Sequence, residues 1–218
     1  DDADYNIGIG YSSLTDLTNG ESNVAIGGHA LENNTSGGAN VAIGSWDSST
    51  YQAPLTTNTV GSFNIAIGSG ALRLANENDN DGSIGIGYGA LNNQAGTGGA
   101  RYASATTAVG HKAFEAMTTG TGNTAVGYIS GQYNETGSQN TYVGYASGLG
   151  ASGQSHSTNT AVGYFTLKDV TTGGANTVIG AFAGDVVTTQ DSLTLVGKNA
   201  GSAINDNGAN GTVAVGAS

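Results

Sequence analysis

The stretches most capable of chemistry lie where the chain is richest in glycine, acid and aromatic residues. Residues 85–90 read GIGYGA and satisfy G-x-G-x-x-A, a spacing that lets a turn approach a pyrophosphate. That chemistry needs a strand before the turn and a helix after it, whose N-terminus holds the anion. Nothing downstream reads as a helix, and the same glycines fall in phase with a longer repeat, so no phosphate site is expected. Residues 77–82 read ENDNDG and place Glu77, Asp79 and Asp81 at alternate positions before a glycine, as in the opening of a calcium loop. The glutamate expected at the twelfth position is replaced by Tyr88, and INDNG at 204–208 is a weaker echo. Calcium is therefore the one cofactor to test for, against solvated loop acids as the competing reading. His29, His111 and His156 fall in different units, with no Ser-His-Asp spacing and no H-E-x-x-H, so no enzyme is expected.

Two inserted stretches carry binding chemistry of another kind. Residues 45–62 hold Trp46 and Tyr51, and residues 92–106 hold Arg101 and Tyr102. Aromatic rings beside hydroxyl and amide groups suit stacking against a glycan or receptor, or they pad a neighbouring chain. A third acid-rich insertion lies near 73–82. Two regular rows also stand out. Tyr11, Tyr88, Tyr128, Tyr145 and Tyr164 each follow a repeat glycine and are expected to stack along one edge. Thr124, Thr141, Thr160, Thr177 and Thr194 form the other row. A flat threonine array can bind ice, but sharing a face with Val and Ile places this row in the core or at its margin.

All these features are carried by one repeat, N-[TVI]-A-[VI]-G. Its closing glycines are residues 10, 27, 44, 68, 87, 110, 127, 144, 163, 180, 197 and 216, separated by 17, 17, 24, 19, 23, 17, 17, 19, 17, 17 and 19 residues. A unit of 17 with small insertions describes all 218 residues as one repeat domain with no internal boundary. Short β-branched segments between turns at a fixed period predict an all-β parallel solenoid, a β-roll of about 12 coils. At ~4.8 Å per strand the rod would be on the order of 55 Å long. The second and fourth places of each unit, such as Val24 and Ile26 or Thr124 and Val126, share a strand face. They are expected to stack as an apolar column, with the small third place (Ala25, Ala125, Ala161) facing outward against another chain. Asn opens eight units, among them Asn23, Asn123 and Asn159, and its stacked amides are expected to form a ladder from coil to coil. Ile26, Val126 and Val162 mark the strand, and Gly27, Gly127 and Gly163 the corner after it.

Composition excludes several functions. With 16 acidic and five basic residues the net charge is −11, so the basic footprint of a nucleic-acid binder is missing. No apolar run approaches the length of a bilayer-spanning helix, so no membrane insertion is expected. The chain has no cysteine, which removes disulfides and thiolate chemistry.

Units of the form NTAVGY, as at 123–128 and 159–164, resemble repeats of phage tail-fibre and other virion receptor-binding proteins. SNVAIGGHAL at 22–31 is similar to the head repeats of trimeric autotransporter adhesins, whose unit is shorter than 17. The resemblance implies a left-handed β-roll, a homotrimer and an extracellular place on a virion fibre or a cell surface. It also implies a structural, adhesive role with cell-surface glycan or receptor contact. Phage depolymerases use paired carboxylates on wider solenoids, but a narrow coil offers little concavity for such a site. The first coil begins at Tyr5-Asn6 and the last closes at Gly216, without capping segments. This predicts a slice of a longer fibre or, alternatively, a secreted subunit that stacks end to end into a filament.

Overall fold

The computed structural model describes residues 3–46, 52–75, 81–94 and 105–217. It is an all-β solenoid built on one parallel sheet of 12 strands, each three residues long, paired in strict chain order. The strands are β1 (Ile7–Ile9), β2 (Val24–Ile26), β3 (Val41–Ile43), β4 (Ile65–Ile67), β5 (Ile84–Ile86) and β6 (Thr107–Val109). They continue as β7 (Thr124–Val126), β8 (Thr141–Val143), β9 (Thr160–Val162), β10 (Thr177–Ile179), β11 (Thr194–Val196) and β12 (Val213–Val215). Among the described residues a 3-10 turn, Asn207–Ala209, lies in the last coil. Register follows the repeat through every insertion: Val41 pairs with Ile65 across 24 residues as Val24 pairs with Val41 across 17. The three strand residues thus hold one register whatever the length between them.

The fold turns the expected unit inside out. The third place is the buried one: Ala25, Ala42, Ala66, Ala108, Ala125 and Ala161 are fully enclosed. The flanking β-branched residues face outward, with Val126, Val143 and Ile179 between 37% and 40% exposed. The Thr124–Thr194 row lies on that outer face too, with Thr141 and Thr177 exposed. The reason is volume. Each coil is so narrow that a strand residue inside it faces a second inward residue, four places after the corner glycine. That residue is Leu31, Leu72, Leu91, Phe114 or Leu167, all fully buried. Opposite a leucine or phenylalanine only alanine or glycine fits, and the β-branched residues that favour strands are left for the outside.

The exceptions establish the rule. Where the inward strand residue is large, the opposing place is glycine: Tyr142 with Gly148, Val178 with Gly184, and Leu195 with Gly201. A Cβ on Gly148 would approach three carbons of the Tyr142 ring to 2.6 Å. Both kinds of coil need a positive φ at that place, 53° for Leu31 and 57° for Gly148, so glycine fits there without strain.

Buried amides lock the coils together. The Oδ1 atoms of Asn6, Asn23, Asn40 and Asn64 each accept the backbone N–H of the matching residue in the next coil, at 2.8 to 3.0 Å. Asn123, Asn140, Asn159 and Asn176 repeat the bond at 2.9 to 3.0 Å. Except at Asn64, the Nδ2 groups donate to carbonyls at the opposite corner, as Asn23 does to Gly37 and Asn159 to Gly173, both at 2.9 Å. The Asn ladder thus satisfies backbone groups that a dry corner would otherwise leave unpaired.

Candidate functional site

Chemistry on the outer surface is concentrated at the corner that follows each strand. Two places after the corner glycine, the backbone takes a left-handed conformation (φ 63° at His29, 55° at Lys112, 52° at Phe165). The N–H there donates to the carbonyl of the preceding coil one place back: His29 to Tyr11 at 2.7 Å, Lys112 to Tyr88 at 2.8 Å, Ala146 to Tyr128 at 2.9 Å. These bonds hold corner side chains one coil rise apart, about the thickness at which aromatic rings stack.

Tyr88, His111, Tyr128, Tyr145 and Tyr164 accordingly form a continuous ladder, with ring centroids 5.4, 4.9, 5.1 and 5.3 Å apart. Phe165 and Phe182 extend it, stacked on each other at 5.9 Å. Four of the five tyrosines expected to stack at one edge therefore do so, with His111 as a further member, while Tyr11 lies apart against His29. Tyr128, Tyr145 and Tyr164 remain 42% to 47% exposed.

The first coils carry a separate aromatic group. Tyr11, His29 and Trp46 come from three successive corners, each ring meeting the next edge-on at 5.3 and 5.2 Å. Here the row is broken, because Gly28 stands where the tyrosine would be. A Cβ on Gly28 would find only the Tyr11 carbonyl oxygen, at 3.9 Å. The missing side chain leaves a shallow recess of about 480 Å³ lined by Tyr11, Gly28, His29, Ser45 and Trp46. The His29 ring is anchored from behind by Glu32, with Nδ1 2.9 Å from Oε2.

Among the described residues a titratable pair, Tyr142 and His156, is buried in the interior. The Tyr142 hydroxyl donates to Asn140 Oδ1 at 2.9 Å and lies 2.7 Å from His156 Nδ1, which must then carry the proton and donate to it. His156 Nε2 has no hydrogen-bond partner among the described residues. Burial pushes the Tyr142 phenol above its ordinary value and lowers His156 to about 4. His156 therefore holds no charge at neutral pH and acts as a wedge in the enlarged coil of residues 144–163.

That pair makes a pH prediction. The neutral imidazole stabilises the fold fully above its unfolded value of 6.5, and this contribution is lost as pH falls from 6.5 towards 4. The loss is worth about 3 kcal/mol. Urea melts at pH 7 and pH 4 should show His156→Gln losing about 3 kcal/mol less than the parent over this interval. Equal losses would refute the assignment.

Of the residues singled out from sequence, Trp46 is brought to the aromatic recess, whereas Tyr51, Arg101, Tyr102, Glu77 and Asp79 lie outside the described residues. Asp81 is spent on structure: its Oδ1 accepts the Ser62 backbone N–H at 2.6 Å, clamping one coil to the next. Among the described residues no group of three or more His, Asp or Glu side chains is placed to hold a metal ion. In the GIGYGA stretch Gly85 is inside the coil, tight against Leu72 and the Ala90 carbonyl, and Gly87 is a corner. The GIGYGA glycines thus serve packing and the coil's turn. Sequence reasoning did not single out Gly28 or Glu32. The signal for Gly28 was a second glycine directly after the corner glycine, where Tyr, Ser, His, Ala or Lys stands in the other units.

Comparison with protein-family models, with curated proteins and with solved structures returned no match.

Proposed function

We propose that the chain is a structural and adhesive segment of an extracellular fibre, of the kind borne by a phage tail or a bacterial surface. In this reading the stacked coils act as a stiff spacer. Copies of the chain, three by resemblance, cover each other's bare sheet faces. Trp46 and the inserted loops make any contact with a cell-surface glycan or receptor. The observation that carries the proposal is the outer face of the sheet. Two rows of β-branched residues run along all 12 strands, unbroken and without charge, beside the aromatic ladder. A continuous, half-exposed and uncharged strip of this length, apolar but for the threonines that begin β6 to β11, supports an interaction surface. The alanine row has no part in it, because that row is enclosed within each coil.

Sedimentation at micromolar concentration tests the proposal: the parent chain should run as a trimer. Val126→Lys/Val143→Lys/Val162→Lys, three outward positions in adjacent coils, should run as a monomer with an unchanged circular-dichroism spectrum. A monomeric parent would overturn the assembly. Electron microscopy separates the fibre segment from a self-assembling filament, since short discrete rods support the first and long uniform filaments the second.

A further inference from the structure

Among the features of the surface, the notch at Gly28 is the one in which shape, ring chemistry and charge agree. We infer that it binds a small organic cation of the quaternary-ammonium class. Tyr11 and Trp46 belong to corners two coils apart, which separates them by about 10 Å along the rod. A cation seated over Gly28, in front of the His29 ring, is offered the Tyr11 and Trp46 rings on either side for cation–π contact. His29 stands between them as the back wall, and its bond to Glu32 behind it fixes the ring. The half-exposed Trp46 (44%) and the exposed Tyr11 (79%) have ring surface still to cover.

Charge decides between a cation and a neutral ligand. Residues 1–72 contain seven acidic side chains (Asp1, Asp2, Asp4, Asp16, Glu21, Glu32 and Asp47) and no Lys or Arg, the first being Arg73. The coils around the recess therefore carry one sign of charge, which concentrates cations there and disfavours anions. An ammonium bearing methyl groups matches both halves of the site. Its methyls meet the aromatic rings, and its charge, which no donor needs to satisfy, is offset by ring electrons and by the negative charge of the surrounding coils. The recess is of a size for one small ligand. This inference does not depend on the fibre reading, because the three corners belong to a single chain.

Trp46 is the chain's only tryptophan, so its fluorescence reports the site directly. Titration with choline chloride, against sodium chloride at equal ionic strength, should give a saturable change in emission. The uncharged isostere 3,3-dimethylbutan-1-ol should not. Gly28→Leu fills the notch at a position with open space for a side chain and should abolish the choline response. Tyr11→Ala should weaken it on the order of tenfold. Circular dichroism confirms that both variants keep the fold. A matching response to the uncharged isostere would overturn the proposal. So would a parent-like choline curve in Gly28→Leu, or a saturable response to a neutral methyl glycoside in place of choline.

Discussion

Gly127→Ala should lower the stability of the solenoid by about 4 kcal/mol or more, enough to lose cooperative folding at moderate temperature. Two effects add at this corner. Gly127 has φ +141°, a region closed to residues with a side chain, and a Cβ built there collides with the Gly144 carbonyl oxygen of the next coil. The carbonyl has no room to retreat, because the Gly144 N–H is bonded to Val126 at 2.8 Å on one side and Val143 accepts the Gly163 N–H at 2.8 Å on the other. Relief would require opening the stack between β7 and β8. Gly28→Ala is the control: its neighbourhood is open, and its stability should stay within about 0.5 kcal/mol of the parent. Thermal melts followed by circular dichroism compare the two. Similar midpoints for both variants would show that close approach of the coils does not fix the corner.

Asn140→Leu should cost about 3 to 5 kcal/mol despite keeping nearly the same volume. The Asn140 side chain makes four hydrogen bonds in a buried corner. Its Oδ1 accepts from the Asn159 N–H at 3.0 Å and from the Tyr142 hydroxyl at 2.9 Å. Its Nδ2 donates to Asn123 Oδ1 at 3.0 Å and to the His156 carbonyl at 2.9 Å. Leucine supplies none of these, and the orphaned partners are shut away from water, which is where an unmade hydrogen bond is most expensive. Asn6→Leu, in the half-buried first coil, removes the same kind of group where water can substitute, and should cost only about 1 kcal/mol. Urea midpoints for the pair test the account; equal costs would mean that the ladder is a by-product of turn preference.

The repeat made much of the architecture legible. Period 17, short strands and the corner glycines follow from spacing and from the limits on φ alone, and every insertion preserved them. The amide ladder was foreshadowed by Asn at one fixed place, because a residue stacked on its own copies can satisfy a backbone donor with the same geometry in each coil. The stacking of Tyr88, Tyr128, Tyr145 and Tyr164 was likewise foretold by their phase, whereas Tyr11 stands apart.

What the sequence left undetermined was the sign of the strand. Alternation says that Ala125 points away from Thr124 and Val126, but a three-residue segment does not say which side is the interior. That was decided across the coil, where Leu and Phe four places past the glycine occupy most of a narrow lumen and admit only Ala or Gly opposite. The covariation of Tyr142, Val178 and Leu195 with Gly148, Gly184 and Gly201 records this in the sequence, yet it becomes readable only once those places are known to face each other. The aromatic recess is tertiary in the same way. Tyr11, His29 and Trp46 meet because consecutive coils bring their corners to one rise apart, and the cleft between them exists because Gly28 withholds a side chain. Sequence periodicity fixed the spacing of the coils, while the volume available inside each coil decided which residues were left on the surface to bind.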